Sequence, residues 1–483
     1  MGRWILNFTW AGRTWSFGDE VDVQLRQAHD LFGGGPSARA VTLRLPLHGV
    51  DVPALVQAGH PLSAAVGTLY LDGDRVLVGQ VVNPSYDADA PVSVTLREES
   101  YDDQTTVLDA HAVVDATTWS DADDASVGRS YPEVFGSPGL ELGPAVPAHL
   151  LDTTASPGTR YVLVAGHWVP ATSVRLHCID DGGAGPAADT YTVLHVEDGR
   201  GRLVAVVDLL EGGKSLTSGA ATEGQSYFTR WSGQAGLDGR AGQVLLRMMR
   251  RSSVRHDAGR FAVAAAWLDR YALGGFIDDP AVSPVDWIAD NLLPILPFTL
   301  AQDTDGLYPV VWRSDVHPSE AVAELAEGPL CQRVGAIRER GDLLNDVRVQ
   351  YGYRADTGDY LRIVAVDETS SLYARISQAR HRNDAHSGRY SETVTTDIVY
   401  DSATAGLIAQ DLVRRRALRR RVAQYSLDRE RWGSVRGGQF VSIEDTGRSW
   451  SGLGAYVTNK VDDGTATVVE LTLADDPVRD LHT

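Results

Sequence analysis

Residues 401–425 read DSATAGLIAQDLVRRRALRRRVAQY. Ser402, Ala403, Ala405, Leu407, Ile408, Leu412 and Val413 recur at helical spacing, which predicts a helix over 402–421. The second half, residues 414–421, holds six arginines in eight positions, in a chain whose formal net charge is −20. At about 100° per residue, Arg414, Arg415, Arg416, Arg419, Arg420 and Arg421 would spread around most of such a helix instead of forming one stripe. A helix that reads DNA concentrates its cations on one face and follows them with groove-reading side chains. A circumferential spread instead predicts arginines set against acidic neighbours, in the same subunit or another, with their stems covering apolar surface. Polyanion contact is the competing reading.

On both sides of this helix the dominant period is two. Upstream, Val347, Val349, Tyr351 and Tyr353 alternate with other residues and GDYLRIVAV pairs back; downstream, GGQFVSIED, LGAYVTNKV and TATVVELTLAD read as a meander. At the N-terminal end Val41, Leu43, Leu45 and Leu47 alternate, and VGTLYLDGDRVLVGQVV folds into a hairpin around Asp72, Gly73 and Asp74. Trp4, Leu6, Phe8 and Trp10 alternate as well, Ala11 and Gly12 permit a turn, and Trp15 and Phe17 resume. That hairpin is a candidate for adding to a neighbouring sheet, with Trp4, Trp10 and Trp15 as contact residues.

The middle of the chain divides the rest. Segment 101–130 carries seven aspartates against one arginine, the composition of a boundary. Tyr161–Val164, Val174–Ile179, Tyr191–Val196 and Leu203–Leu209 are short strands between Gly-, Pro- and Asp-rich turns. AGQVLLRMMRR has an apolar stripe through Val244, Leu245, Met248 and Met249, and SPVDWIADNLL starts a helix with Ser283 as N-cap and Pro284 at the first position. Four units follow: a β unit at 1–104, an inserted β unit at 105–235, a helix-containing connection at 236–340, and a second β unit at 341–483. At 483 residues, several domains are the natural expectation. The fold class is mainly β (α+β), built of sandwich or barrel domains.

Composition and motifs exclude more than they assign. An excess of twenty acidic groups opposes any global attraction to nucleic acid or anionic lipid. Two lysines stand against forty-two arginines, a bias that codon usage in a GC-rich genome produces as readily as a need for guanidinium chemistry does. Cys178 and Cys331 are the only cysteines, too few for a disulfide scaffold or a Cys-based metal site. No run of about 18 apolar residues occurs, and MGRWILNFTW lacks the apolar centre of a signal peptide. Gly213-Lys214-Ser215 echoes a phosphate loop, but Asp208 stands where that loop needs glycine. His381, Asp384 and His386 match no common metal spacing, and DADD at 121–124 lacks the glycine and terminal glutamate of a calcium loop. His167, His177 and His195 fall on strands as satisfied polar groups; His177 and Cys178, being adjacent there, point to opposite faces. With no G-x-S-x-G and no H-E-x-x-H, the expectation is no catalytic residue, no metal and no cofactor.

The order of elements resembles the tail hub, or baseplate hub, proteins of tailed bacteriophages and gene transfer agents. The match rests on a strand such as Asn345–Tyr351 before a helix with Ala403, Ala405, Ala409, Leu412 and Ala417, then a β segment whose Gly-Asp-x-Val-x-Ile core is similar to Gly438–Ile443. Gln439 replaces the frequent aspartate. SYPEVFGSPG at 130–139 is similar to the start of the inserted domain in such hubs, and residues 283–312 to their helix and proline-rich segment. ARAVTLRLPLHG and GDRVLVGQVVNPSYDADAPVSVTLREES resemble their first tube-like domain. The resemblance implies two tail-tube-like domains, each with a flanking helix, and a homotrimeric ring that adapts a sixfold tail tube to a threefold spike or fibre. It implies as partners the tail tube or a distal tail protein, a spike, fibre or other tip protein, and the tape-measure protein and genome passing through the lumen without sequence-specific binding. The location it implies is the virion, at the tail tip or baseplate, after synthesis in the bacterial host cytoplasm. The alternatives are a virion-associated glycan or peptidoglycan hydrolase, and a distal tail adaptor or carbohydrate-binding tip protein.

Overall fold

The structure, a computed structural model, describes residues 3–18, 23, 25–28, 40–47, 50–71, 73–86, 92–98, 105–140, 142–151, 161–180, 183–186, 191–208, 226–303, 306–313, 316, 318–340, 343–384, 387–448, 450–462 and 466–474. The fold is mainly β, with curled sheets around a helical centre. Its N-terminal unit comprises β1 (Trp4–Trp10), β2 (Arg13–Phe17), β3 (Leu25–Ala28), β4 (Ala40–Leu45), helix α1 (Val52–Gln57), β5 (Val66–Leu71), β6 (Asp74–Ser85) and β7 (Val92–Glu98). Strict alternation turns Trp4, Leu6, Phe8 and Trp10 of β1 inward onto Leu43, Leu69, Leu77 and Leu96. The hairpin between β5 and β6 turns at Gly73, whose φ of 92° suits glycine.

After the short β8 (Glu133–Phe135) a second sheet is built from β9 (Val146–Leu150), β10 (Tyr161–Ala165), β11 (Val174–Asp180), β12 (Gly183–Pro186), β13 (Thr192–Glu197), β14 (Leu203–Asp208) and β15 (Ser226–Trp231). Its strand order is β12-β11-β15-β9-β10-β14-β13. Trp231 is wholly buried in its core, among Val162, Val164, Val174 and Val207.

The centre is helical. Helices α2 (Ala241–Arg251), α3 (Ala258–Leu268) and α4 (Pro284–Asn291) pack with β16 (Gly275–Ile277), β17 (Phe298–Asp303) and β18 (Gly306–Val311). Ser283 caps α4 as its sequence predicts: its Oγ accepts from Asp286 N at 3.1 Å and donates to the Asp286 carboxylate at 2.7 Å. Short strands β19 (Glu324–Ala326), β20 (Cys331–Arg333) and β21 (Arg338–Arg340) follow, then a three-stranded sheet of β22 (Asp346–Arg354), β23 (Asp359–Val366) and β24 (Ser391–Thr395), with α5 (Leu372–His381) between its last two strands. Helix α6 (Ser402–Arg416) lies across β22 and β23 and closes the central core.

The chain ends in β25 (Arg420–Asp428), α7 (Arg429–Trp432), β26 (Phe440–Asp445), β27 (Trp450–Asp462) and β28 (Ala466–Leu473). These strands do not form a sheet apart. β3 pairs antiparallel with β27, Ala28 to Asn459 through Leu25 to Asp462, so N- and C-terminal strands share one fourteen-stranded sheet among the described residues.

Three segments meet at one point with no room for side chains. A Cβ on Gly136 would lie 2.0 Å from Leu273 O; one on Gly239 would lie 2.2 Å from the same oxygen and 2.5 Å from the Gly136 Cα; one on Gly274 would lie 2.9 Å from Ser137 C. Backbone hydrogen bonds Gly136 N to Leu237 O (3.0 Å) and Leu273 N to Gly239 O (2.7 Å) need that approach. Gly239→Ala is therefore expected to lose about 3 kcal/mol or more, or to fail to fold, because backbone rather than a side-chain tip would have to move. Gly406→Ala on α6, where a Cβ meets nothing within 4 Å, is the control and should be neutral or stabilising by up to about 1 kcal/mol in urea denaturation.

Candidate functional site at the arginine turn

Helix α6 begins at Asp401, whose side chain accepts from Thr404 N at 2.8 Å and from Thr404 Oγ1 at 2.9 Å. Its inward face carries Thr404, Ala405, Ile408, Ala409, Leu412 and Val413. The helix ends at Arg416, five residues short of the 402–421 span that its sequence predicts. Ala417 and Leu418 are buried in a turn, and from Arg420 the chain is strand β25, with Ala423, Tyr425 and Leu427 directed into the C-terminal core. The circumferential arrangement of six arginines on one helix therefore does not form. β-Branched and aromatic residues after the run take the chain into the sheet beside β28, and that pairing outweighs helix propensity.

Each arginine has its own setting. Arg414, exposed, lies 3.8 Å from the Asp411 carboxylate one turn back; Arg416 lies 3.0 Å from Glu392 on β24. Arg415 is buried at 5% exposure, its Nη1 3.5 Å from Leu296 O and its Nε 3.4 Å from Asp411 O. Burial pulls its guanidinium down to about 10, against the pull of Asp411 and Tyr271 in the other direction. Tyr271 donates a short hydrogen bond to the same Asp411, and burial with that carboxylate raises the phenol far above its ordinary range. Arg419 is exposed.

Arg420 turns back on the helix it follows. Its Nη2 donates to Arg414 O at 2.5 Å and its Nε to Arg415 O at 3.4 Å, and its guanidinium lies 5.2 Å from the Trp312 ring centre. These are last-turn carbonyls, so a cation here both satisfies them and meets the negative end of the helix dipole. Arg421 lies 5.7 Å from the Trp450 ring centre. Arg415 and Arg420 thus meet backbone carbonyls, and Arg420 and Arg421 lie near indole rings. Nothing in the spacing distinguishes the six; the one available signal is that Val422-Ala423-Gln424-Tyr425 breaks the helical period.

The aromatic candidates at the N-terminal end are internal. Trp4 and Trp10 are buried at 7% and 2% exposure, and Trp10 Nε1 donates to His60 O and Pro61 O at 3.2 Å. Trp15 is half-buried, with its ring 6.3 Å from Phe8 and 6.4 Å from Trp10. β2 ends the strand order of the long sheet, so its backbone, rather than these rings, faces outward at that edge.

A cavity of about 730 Å³ lies where the 105–112 strap meets the inserted sheet and α2. Its charged groups are paired across the junction: Arg251 with Glu133 at 2.6 Å, Arg202 with Asp109 at 2.7 Å. Thr105 Oγ1 donates to Arg251 O at 3.0 Å, and Arg251 Nη1 to Val107 O at 3.2 Å. These contacts tie the strap, the inserted sheet and α2 together.

The remaining candidates stay apart. Gly213-Lys214-Ser215 and His386 lie outside the described residues, as does the side chain of Cys178. His381 Nδ1 is 3.1 Å from Asp384, which also accepts from Tyr390 at 2.8 Å. Among the described residues no group of three or more His, Cys, Asp or Glu side chains is placed to hold a metal ion, and no helix is long and apolar enough to cross a membrane. The His167 ring is fixed between Val134 N and Trp168 O, and His195 Nε2 meets Val169 N at 3.1 Å.

No protein-family model matches the sequence, and no curated protein matches it. Solved structures do align over most of the chain. A tail protein from Neisseria meningitidis MC58 is 11% identical at a TM-score of 0.41, over 97% of this chain and 96% of that one. The prophage MuSo2 43 kDa tail protein from Shewanella oneidensis is 9% identical at 0.37, over 98% and 97%. A chain of a native gene transfer agent particle is 12% identical at 0.39, over 78% and 90%.

Two outcomes follow from the side chains. Arg420→Ala removes this donor from the Arg414 and Arg415 carbonyls, the second of them buried, and should cost about 1–3 kcal/mol in urea denaturation, with Arg420→Lys intermediate. On β9, burial first and Arg129 second depress His149 to about 4, below its ordinary 6.5. The unfolded chain then takes up this proton first, so stability is full above about pH 6.5 and falls by on the order of 3 kcal/mol as pH drops to 4. His149→Gln should flatten that acid limb in urea midpoints measured from pH 7 to pH 4.

Proposed function

We propose that this chain is a structural hub of a phage-type tail tip or baseplate: a homotrimeric ring that adapts a sixfold tail tube to a threefold spike or fibre and lines the conduit for DNA ejection. The observation that carries the reading is the β3–β27 seam, which sets two β units edge to edge in one sheet within a single subunit. A subunit with two such units supplies two of six positions around an annulus, so three copies close it. The sequence resemblance described above supports the same arrangement.

The chemistry of the chain agrees with a part that holds rather than reacts. Described charged side chains are paired within units, as at Arg416–Glu392, and across them, as at Glu133–Arg251. A net charge of −20 suits a lumen through which a polyanion slides without adhering. Partners under this reading are further copies of the chain, the tube or a distal tail protein on one side, and a spike, fibre or other tip protein on the other, with tape-measure protein and genome inside.

Sedimentation of the purified chain should give the mass of a trimer, three times 52.1 kDa. A monomer or hexamer under conditions that keep tails intact would count against the hub. Incubation with purified cell wall should release neither sugar nor peptide; release would favour the hydrolase alternative.

A further inference from the structure

The outward side of α3 is unlike that of a surface helix. Phe261, Ala264, Ala265 and Leu268 face the core, yet the opposite side, at Gly259, Ala262, Val263, Ala266 and Arg270, is apolar until its last residue. Val263 is 76% exposed, the highest value among the large hydrophobic residues described. A helix apolar on both faces is ordinarily covered on both.

The charge around this face runs against that of the chain. Residues 240–270 hold seven arginines and two aspartates, in a protein of net charge −20, with Arg240, Arg247, Arg251 and Arg260 paired to Asp238, Glu133 and Asp257. Both aspartates are engaged locally: Asp257 with Arg260 Nε at 3.2 Å, and Asp269 with Gln243 at 3.0 Å and Arg240 at 3.5 Å. Arg250, Arg255 and Arg270 are exposed. Arg270 is held at the C-terminal end of the face, its guanidinium 3.9 Å from the Trp267 ring centre and its Nε donating to Trp267 O at 3.2 Å.

The complementary surface exists on the same chain. Asp115, Asp121, Asp123 and Asp124 lie in the turns outside the inserted sheet, anchored to it through Val114 and Trp119, with Val127 40% exposed beside them. Asp115 is bonded by the Thr117 and Thr118 backbone amides and hydroxyls, which fixes the shape of the first turn.

We propose that the outward face of α3 docks on the Asp115–Val127 surface of a second copy of this chain, Val263 and its small neighbours making the apolar contact and Arg255 and Arg270 meeting Asp121 and Asp124. The contact joins two different patches, so it repeats head to tail; closure after three copies rests on the trimeric reading above. Its charged part weakens with salt.

Mass photometry of the full chain tests this, with circular dichroism to verify folding. Val263→Glu is expected to shift trimer to monomer, with at least a tenfold weaker association. The paired variant Arg255→Glu/Arg270→Glu should do the same, as should Asp121→Arg/Asp124→Arg, and the chain carrying all four changes should recover the ring. A wild-type trimer unaffected by both Val263→Glu and Arg255→Glu/Arg270→Glu overturns the α3 contact and leaves the hub reading standing. Loss of the ring in both arginine and aspartate variants without recovery in the fourfold chain overturns the Asp115–Val127 partner surface. A wild-type chain that is monomeric at every concentration overturns both.

Discussion

The arrangement of the units depends on a contact made by atoms that are not there. At Gly136, Gly239 and Gly274 the segment after β8, the segment before α2 and the segment after α3 approach until backbone touches backbone. Because interiors pack at crystal density, a gap of one methyl group there would push the inserted sheet away from the helical centre. Around that fixed point the polar ties between Arg251, Glu133 and Thr105 set orientation, while Phe135 and Trp287, with ring centres 6.0 Å apart, supply apolar contact.

The arginine run shows how charge is used in so acidic a protein. Arg415 is the costly one: a buried guanidinium whose compensation comes from Asp411, Tyr271 and a carbonyl. Arg420 serves the same helix from outside it, in the role that glycine or water often fills at a helix end. Both side chains are committed within the subunit. Arg414 and Arg419 are the exposed charges of the run.

Much of the β architecture was legible because alternation reports which side chains share a face. Trp4 to Trp10, Val41 to Leu45 and Val347 to Tyr351 are strands for that reason, and Ser283-Pro284 marks a helix start through its capping chemistry. What periodicity omits is which face is interior, and so the rings of Trp4 and Trp10 read equally well as surface contacts. The end of α6 was hidden because arginine is a good helix former and the competing strand partner, β28, lies some fifty residues away. The glycine crossing was hidden for a different reason. Gly136, Gly239 and Gly274 are three among 48 glycines, and only the meeting of distant segments singles them out.

The β3–β27 seam also orders events in time. Leu25–Ala28 leaves the ribosome more than four hundred residues ahead of its partner Asn459–Asp462. Until that partner emerges, β3 pairs with β4, at Arg26 to Ala40 among the described residues, and its other flank stays open. Loop closure over more than four hundred residues then completes the sheet. The seam forms only once Asn459–Asp462 has been made, so nascent fragments that lack this strand are excluded from any assembly that requires the joined sheet.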